Sequence, residues 1–267
     1  MVQTPNKQYS SNFTGLRVAL FSFLTTIILF SSCAKKTKSK DDMSFEDLKK
    51  NALTLLEQKK YEKASEYIEK MVSRFPDHAE THKHKLILAD TYFKMGHYPS
   101  AEKLYTHYAT YYPSDQKAEY SQYRAIRSQF YQTLRLDCDQ TATEDTINLC
   151  KTYRNIPTYA KYLKDVVDIQ STCEHKLINK EIYVYNFYLR KKKYDAAQNR
   201  LAYLRSNYVP KKKSLEPRIL YLECKLAQKQ KNKKILDEKL EQLATQHPES
   251  QYTRMAQSLI SRSKFEF

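Results

Sequence analysis

Among the 267 residues, the side chain best placed for covalent chemistry is Cys33, which ends a fifteen-residue apolar run over residues 18–32. A helix of that length rises about 1.5 Å per residue, roughly 22 Å in all, and falls short of the about 30 Å hydrocarbon core of a bilayer. The run reads as a secretion signal, not a span. Lys7 and Arg17 precede it, no acidic residue stands before Asp41, and Ser31 and Ser32 place small side chains just ahead of the cysteine. That is the order of a basic segment, an apolar segment and a small-residue cleavage site. A thiol delivered there can carry acyl chains, each buried CH₂ contributing about 0.8 kcal/mol to membrane anchoring. The other thiols, Cys138, Cys150, Cys173 and Cys224, form no C-x-x-C pair, so neither a zinc site nor a thioredoxin-like motif is indicated. They are inert core residues or, in an oxidising compartment, one or two disulfides. His78, His82 and His84 have only Glu80 among them as a carboxylate; we read them as a solvated helix start, with no metal and no cofactor implied.

The segment Phe30-Ser31-Ser32-Cys33 resembles the lipobox of bacterial lipoproteins, with Phe30 where leucine is usual. The resemblance implies a diacylglyceryl thioether on Cys33, removal of residues 1–32, and, from Ala34-Lys35 with no aspartate, an outer-membrane address. Residues 34–42 (AKKTKSKDD) have no apolar side chain larger than alanine and cannot bury surface, so residues 33–43 are expected to be a lipidated flexible linker.

Helical pattern fills the rest. Only Gly15 and Gly96 are glycines, tryptophan is absent, and no stretch alternates with the period of a strand. The fold expected is all-α. Phe75-Pro76, Tyr112-Pro113, Ile156-Pro157, Val209-Pro210 and His247-Pro248 each close an amphipathic segment, at spacings of 37, 44, 53 and 38 residues. Tyr61, Tyr98 and Tyr194 stand fifteen or sixteen residues before three of these prolines, and each is followed three residues on by Ala64, Ala101 or Ala197. A small residue where two helices touch, a large one four residues later (Ile68, Tyr105, Leu201) and a proline that ends the second helix form the tetratricopeptide pattern. We therefore expect a tetratricopeptide-repeat (TPR) solenoid of about five helix hairpins over 44–264, with repeats at 44–77, 80–115, 117–157, 159–211 and 215–250 and a last helix at 251–264. Gly96 is suited to a left-handed turn. Repeat three is degenerate: Asp139 or Thr141 caps a helix carrying Ile147, Cys150 and Tyr153, and Asp145 aligns with the small residue. Repeat four has room for a first helix from Tyr159 to about Leu189, and repeat five has Leu236, Leu240 and Leu243 at its packing positions. Such a stack stabilises itself through neighbour interfaces and offers a concave groove for peptides or domains.

Residues 180–201 (KEIYVYNFYLRKKKYDAAQNRL) with 205–208 (RSNY), 139–143 (DQTAT) and 248–252 (PESQY) resemble the BamD family, tetratricopeptide lipoproteins of the outer-membrane β-barrel assembly machinery. Basic Lys211, Lys212 and Lys213 depart from that family's usual acidic or polar residues. The resemblance implies a non-catalytic scaffold on the periplasmic face of the outer membrane. Its expected partners are the periplasmic domains of the barrel-forming subunit, unfolded outer membrane proteins and other assembly lipoproteins. An unfolded barrel strand offers unpaired backbone and alternating aromatics, which a tyrosine-rich groove can cover; Tyr92, Tyr105, Tyr108, Tyr111 and Tyr112 are the candidates. By the same resemblance Arg200, with Asn199, lies where the barrel subunit docks, an arginine there requiring a carboxylate partner. The alternative is an internal pair with Glu216 or Glu223.

Charge favours an acidic partner or surface. The chain carries a formal +16, and without Lys7 and Arg17 the mature chain keeps 44 − 30 = +14. The excess gathers at residues 190–193, 211–213 and 229–234, where it meets acidic headgroups, an acidic docking domain, or only solvent at helix C-termini. No nucleic-acid recognition motif accompanies it. Other functions compatible with the pattern are a periplasmic TPR lipoprotein of cell division or peptidoglycan synthesis and a superhelical cell-wall hydrolase. The hydrolase requires a general-acid glutamate before serine, and Glu249-Ser250 sits in a proline-led turn instead. Replacing Cys33 by alanine should abolish labelling by a fatty-acid analogue and release the protein from membranes; a Cys33→Ala protein that stays labelled and membrane-bound contradicts the anchor.

Overall fold

A computed structural model describes residues 39–263, over which eleven α-helices follow one another. They are α1 (Phe45–Glu57), α2 (Tyr61–Arg74), α3 (Thr81–Met95), α4 (Tyr98–Tyr111), α5 (Ala118–Tyr131), α6 (Thr141–Arg154), α7 (Leu163–Arg190), α8 (Tyr194–Asn207), α9 (Glu216–Lys229), α10 (Lys233–Gln246) and α11 (Gln251–Ser263). The apolar run, Cys33 and residues 34–38 lie outside the described residues. Each helix packs on the next, α9 also on α11, so five hairpins and a closing helix make the all-α solenoid that the proline spacing predicts. Among the described residues no helix is long and apolar enough to cross a membrane.

In α10 only Leu243 of Leu236, Leu240 and Leu243 is buried, but the other four second helices share one buried stripe with spacing x, x+4, x+7. It runs Ala64, Ile68, Met71 in α2, Ala101, Tyr105, Tyr108 in α4 and Ala197, Leu201, Leu204 in α8, all buried. Positions three and four apart share a helix face, and alanine at x lets the first helix come close. In α6 the stripe is Thr143, Ile147, Cys150, also buried. This corrects the expectation at Asp145, which is exposed: α6 begins two residues before its stripe where the other three begin three before theirs, and Thr143 takes the small-residue place.

Local sequence explains the ends. Ser44 caps α1 through a reciprocal pair with Asp47, Ser44 Oγ accepting from Asp47 N at 3.2 Å and Asp47 Oδ2 accepting from Ser44 N at 3.4 Å. Phe75, Tyr112 and His247 end α2, α4 and α10 in one shared non-helical conformation, and a proline follows each. Thr81 and Thr253 close two of these turns by donating to the Phe75 and His247 carbonyls, both at 2.6 Å. Inside four hairpins the turn needs one left-handed residue. Gly96 supplies it at φ 78°, while Lys59, Lys192 and Lys231 hold φ of 57°, 58° and 57°, a conformation that costs a non-glycine residue roughly 1–2 kcal/mol.

Three further expectations change. The first helix of hairpin four starts at Leu163 and spans 28 residues, because residues 157–162 turn before it, with Tyr159 N bonding to the Ile156 carbonyl at 3.0 Å. The end of the expected linker is docked, not free: Lys40–Asp42 makes a 3₁₀ turn, Lys40 pairs with Glu66 and Asp41 with Lys70, and Arg74 donates to the Met43 carbonyl at 2.8 Å. Ion pairs and backbone acceptors hold a segment that has no apolar group to bury. The histidines are not simply solvated either. His84 is buried edge-on to Phe45, and His78 stacks on the same ring at 3.6 Å.

Buried residues fall into five clusters in chain order, most of them shared between successive hairpins. Replacing Ala101, which is fully buried, with phenylalanine should overpack the α3–α4 contact and cost about 1–3 kcal/mol, read as a lowered melting temperature; an unmoved curve would show that the two helices do not meet there.

Candidate binding surface

Phe93 of α3, Tyr98 of α4, the rings and arginines of α5, and Tyr162 just ahead of α7 form a row of aromatic rings and cations. Tyr120, Tyr123, Arg124, Arg127 and Tyr131 of α5 recur at three- and four-residue spacing and so share one stripe. At its root Asp90 Oδ1 accepts from the Tyr105 hydroxyl at 2.5 Å and the Tyr120 hydroxyl at 2.6 Å. Arg124 Nε donates to the Tyr105 oxygen at 3.1 Å, and its guanidinium lies 3.6 Å over the Phe93 ring. A carboxylate, two phenols and a stacked cation thus fix one another. Burial, with Asp90 adding to it, pushes the Tyr105 and Tyr120 hydroxyls well above the usual tyrosine range.

Outward from this root the row reaches solvent at Tyr131, while Tyr123 stays buried. Arg127 donates to the Tyr131 hydroxyl at 2.9 Å, and Tyr131, 46% exposed, stacks on Tyr98 at 4.8 Å. On the other side Tyr123 lies parallel to Tyr162 at 4.3 Å and donates to Asp165 Oδ2 at 2.9 Å. Flat rings with fixed orientation and an arginine between them can hold the side chains of an extended peptide at little entropic cost.

Of the tyrosines expected to line a groove, Tyr105 and Tyr108 do not. They are buried at x+4 and x+7 of the α4 stripe, where the helix faces the core. Tyr92 is half-buried and donates to Glu69 Oε1 at 2.9 Å; burial first, then Glu69, pushes it up to about 12. Tyr112 is half-buried against His82, and Tyr111 is 68% exposed beside His107. Sequence reasoning missed Tyr98, Tyr123, Arg124, Arg127, Tyr131 and Tyr162; the periodic Tyr/Arg stripe of α5 was the available signal.

In the C-terminal half, Arg200 is paired within the chain, but with Glu181 at 3.2 Å and with neither Glu216 nor Glu223. Those two hold Arg205, at 2.6 and 3.0 Å, and fasten α8 to α9. Arg200 stays 41% exposed, and Asn199 is exposed. Glu181 also lines a polar cleft of about 570 Å³ with Asp139, Glu144, Tyr203 and Tyr208. Lys211 and Lys213 are exposed, while Lys212 is half-buried on His175. Cys150, Cys173 and Cys224 are buried, unbridged thiols, raised by burial to about 12, 11 and 12, and Cys138 is exposed.

The raised tyrosines set an alkaline limit. Unfolded tyrosine titrates near pH 10, so a group raised on folding contributes stability that is complete below about pH 10 and is lost as pH climbs through the folded value. With the three raised thiols included, melting temperature should begin to fall above about pH 8.5 and fall more steeply above about pH 10, and Tyr105→Phe should make that second fall shallower while costing about 1–2 kcal/mol at neutral pH; an equally steep second fall in the variant would place the tyrosine limit elsewhere.

The family model for YfiO, described as outer membrane lipoprotein, matches residues 41–235. Among solved structures, the crystal structure of PilW, a widely conserved type IV pilus biogenesis factor, aligns with 79% of this chain and 97% of its own. The identity is 14% and the TM-score 0.33, a likeness too distant to bear on function. No curated protein matches. The family match covers more than half of the sequence, from the docked 3₁₀ turn to the start of α10, and the chain belongs to the YfiO family of outer membrane lipoproteins.

Proposed function

We propose that the chain is a non-catalytic scaffold of the β-barrel assembly machinery, anchored by lipid on Cys33 to the periplasmic face of the outer membrane. In this reading the C-terminal hairpins dock on periplasmic domains of the barrel-forming subunit, and the aromatic row centred on α5 holds segments of unfolded outer membrane proteins. Other assembly lipoproteins meet the remaining surface. The observation that carries the reading is membership of an outer membrane lipoprotein family by a helical stack whose open chemistry is rings and cations. Such a surface is suited to holding other chains.

Arg200 is the proposed docking residue. Its intrachain partner Glu181 meets one end of the guanidinium, and its exposure leaves the remaining donors for a carboxylate across an interface. Asn199 lies beside it, and the exposed lysines at 211 and 213 steer approach.

Arg200→Glu should weaken binding to the periplasmic domains of the barrel subunit by about 2–5 kcal/mol, a partner carboxylate being left facing a like charge. Glu181→Gln, which removes only the internal partner, should leave affinity nearly unchanged. Neutralising Lys211, Lys212 and Lys213 should instead slow association and flatten its salt dependence. Affinity that is unaffected by Arg200→Glu moves the interface to another face of the solenoid.

A further inference from the structure

A second cleft lies between hairpins four and five and has a different chemistry from the aromatic row. His175 and Asn179 of α7, Lys212 and Ser214 of the α8–α9 turn, Arg218 of α9 and Tyr252 of α11 enclose about 250 Å³. Its floor is apolar, made by Ile178 and Leu215, both buried. No carboxylate lines it. The two fixed cations meet side chains other than carboxylates instead: Arg218 Nη1 donates to Asn179 Oδ1 at 2.9 Å, and the Lys212 ammonium meets His175 Nε2. The contrast with Arg200 and Arg205, whose partners are Glu181, Glu216 and Glu223, is local and direct. Lys212 and Arg218 are both half-buried, so each has lost part of its hydration with no carboxylate in the cleft to replace it, an arrangement that favours an arriving anion.

The donors identify the anion. A guanidinium fork, an ammonium and the Ser214 and Tyr252 hydroxyls converge from two helices and a turn. That suits a tetrahedral group with three or more acceptor oxygens better than a planar carboxylate. The volume lies just below the roughly 300–1,000 Å³ of sites that take drug-sized ligands, so it admits an oxyanion with the first atoms attached to it. We propose that this cleft binds a phosphate group, either free or on a lipid headgroup, with Arg218 and Lys212 as its charge ligands and Ser214 and Tyr252 as hydroxyl donors. Lys211 and Lys213, exposed on the same turn, raise the potential at its mouth. The proposal stands apart from the barrel-assembly reading and survives if that reading fails.

The test follows the His175 ring resonance in the full chain, held in zwitterionic detergent with isotope-labelled histidine and assigned with His175→Gln. At low ionic strength, inorganic phosphate should shift that resonance and saturate. Arg218→Gln and Lys212→Gln should each weaken the apparent affinity at least about tenfold, ~1.4 kcal/mol. Lys212 sits on a turn, so its variant carries the test if Arg218→Gln lowers the melting temperature. Phosphatidylglycerol vesicles that shift the resonance where phosphatidylcholine vesicles do not identify the lipid headgroup as the source; a response to inorganic phosphate alone identifies the free ion. The proposal is overturned by no response to either probe, by a response that persists in both variants, or by one that acetate or chloride reproduces at equal ionic strength. An equal response to acetate would assign the cleft to an acidic side chain of a protein partner.

Discussion

No hairpin of this chain encloses a core by itself, and that constraint shapes everything else in the fold. Two antiparallel helices meet along one stripe, Ala101 and Tyr105 of α4 against Leu86 and Ala89 of α3, and the remaining apolar faces are buried only when the next hairpin arrives, as Ala125 of α5 does. Stability is then a sum of neighbour contacts, and the close approach at each small residue decides whether the next contact forms at all. The same constraint explains why turn chemistry repeats. An identical turn is needed in four hairpins, and in three of them a lysine holds the left-handed position that Gly96 holds in the other. Those lysines are exposed, so charge is kept at these turns against a backbone preference for glycine.

Polar groups buried by stacking have to be satisfied across hairpins. Asp90 of hairpin two accepts from Tyr105 of its own hairpin and Tyr120 of the next. Glu119 does the same one repeat on, accepting from the Tyr153 hydroxyl at 2.5 Å and from Lys161 N at 2.7 Å. Tyr185 donates to the Leu222 carbonyl at 2.7 Å, joining α7 to α9. These bonds fix the rotation of each hairpin on its neighbour. That rotation in turn lines up Phe93, Arg124, Arg127 and Tyr131 as one surface, so the candidate binding row is a product of the stacking and not an addition to it.

How far the sequence discloses this differs by element. Prolines after the second helices, the alanines at Ala64, Ala101 and Ala197 and the suitability of Gly96 for a left-handed turn are local signals, and they predict hairpins that the structure contains. Side-chain roles are less accessible because they depend on partners 15 to 42 residues away, as Tyr105 with Asp90 and Tyr123 with Asp165 show. Tyrosine count alone does not separate the buried Tyr105 and Tyr108 from the half-buried Tyr98 and the exposed Tyr131; helical phase does, once the x+4 and x+7 positions are recognised as core. Arg200 and Arg205 lie five residues apart, and sequence offers Glu216 and Glu223 to either. Helix α8 turns Arg205 toward them and Arg200 toward Glu181. The docked end of the linker was hidden for a related reason: its hold is made of ion pairs and backbone acceptors on α2, which no apolar pattern announces.

Family membership and the open aromatic–cation row together place the weight of the account on what the chain holds, so the most direct measurement is the composition of its complex. The full-length protein, purified by affinity from membranes solubilised in mild detergent and washed at moderate salt, should bring down a barrel-forming outer membrane protein with several periplasmic domains in near-stoichiometric amount. Recovery of peptidoglycan synthesis or division proteins with no such barrel would contradict the account.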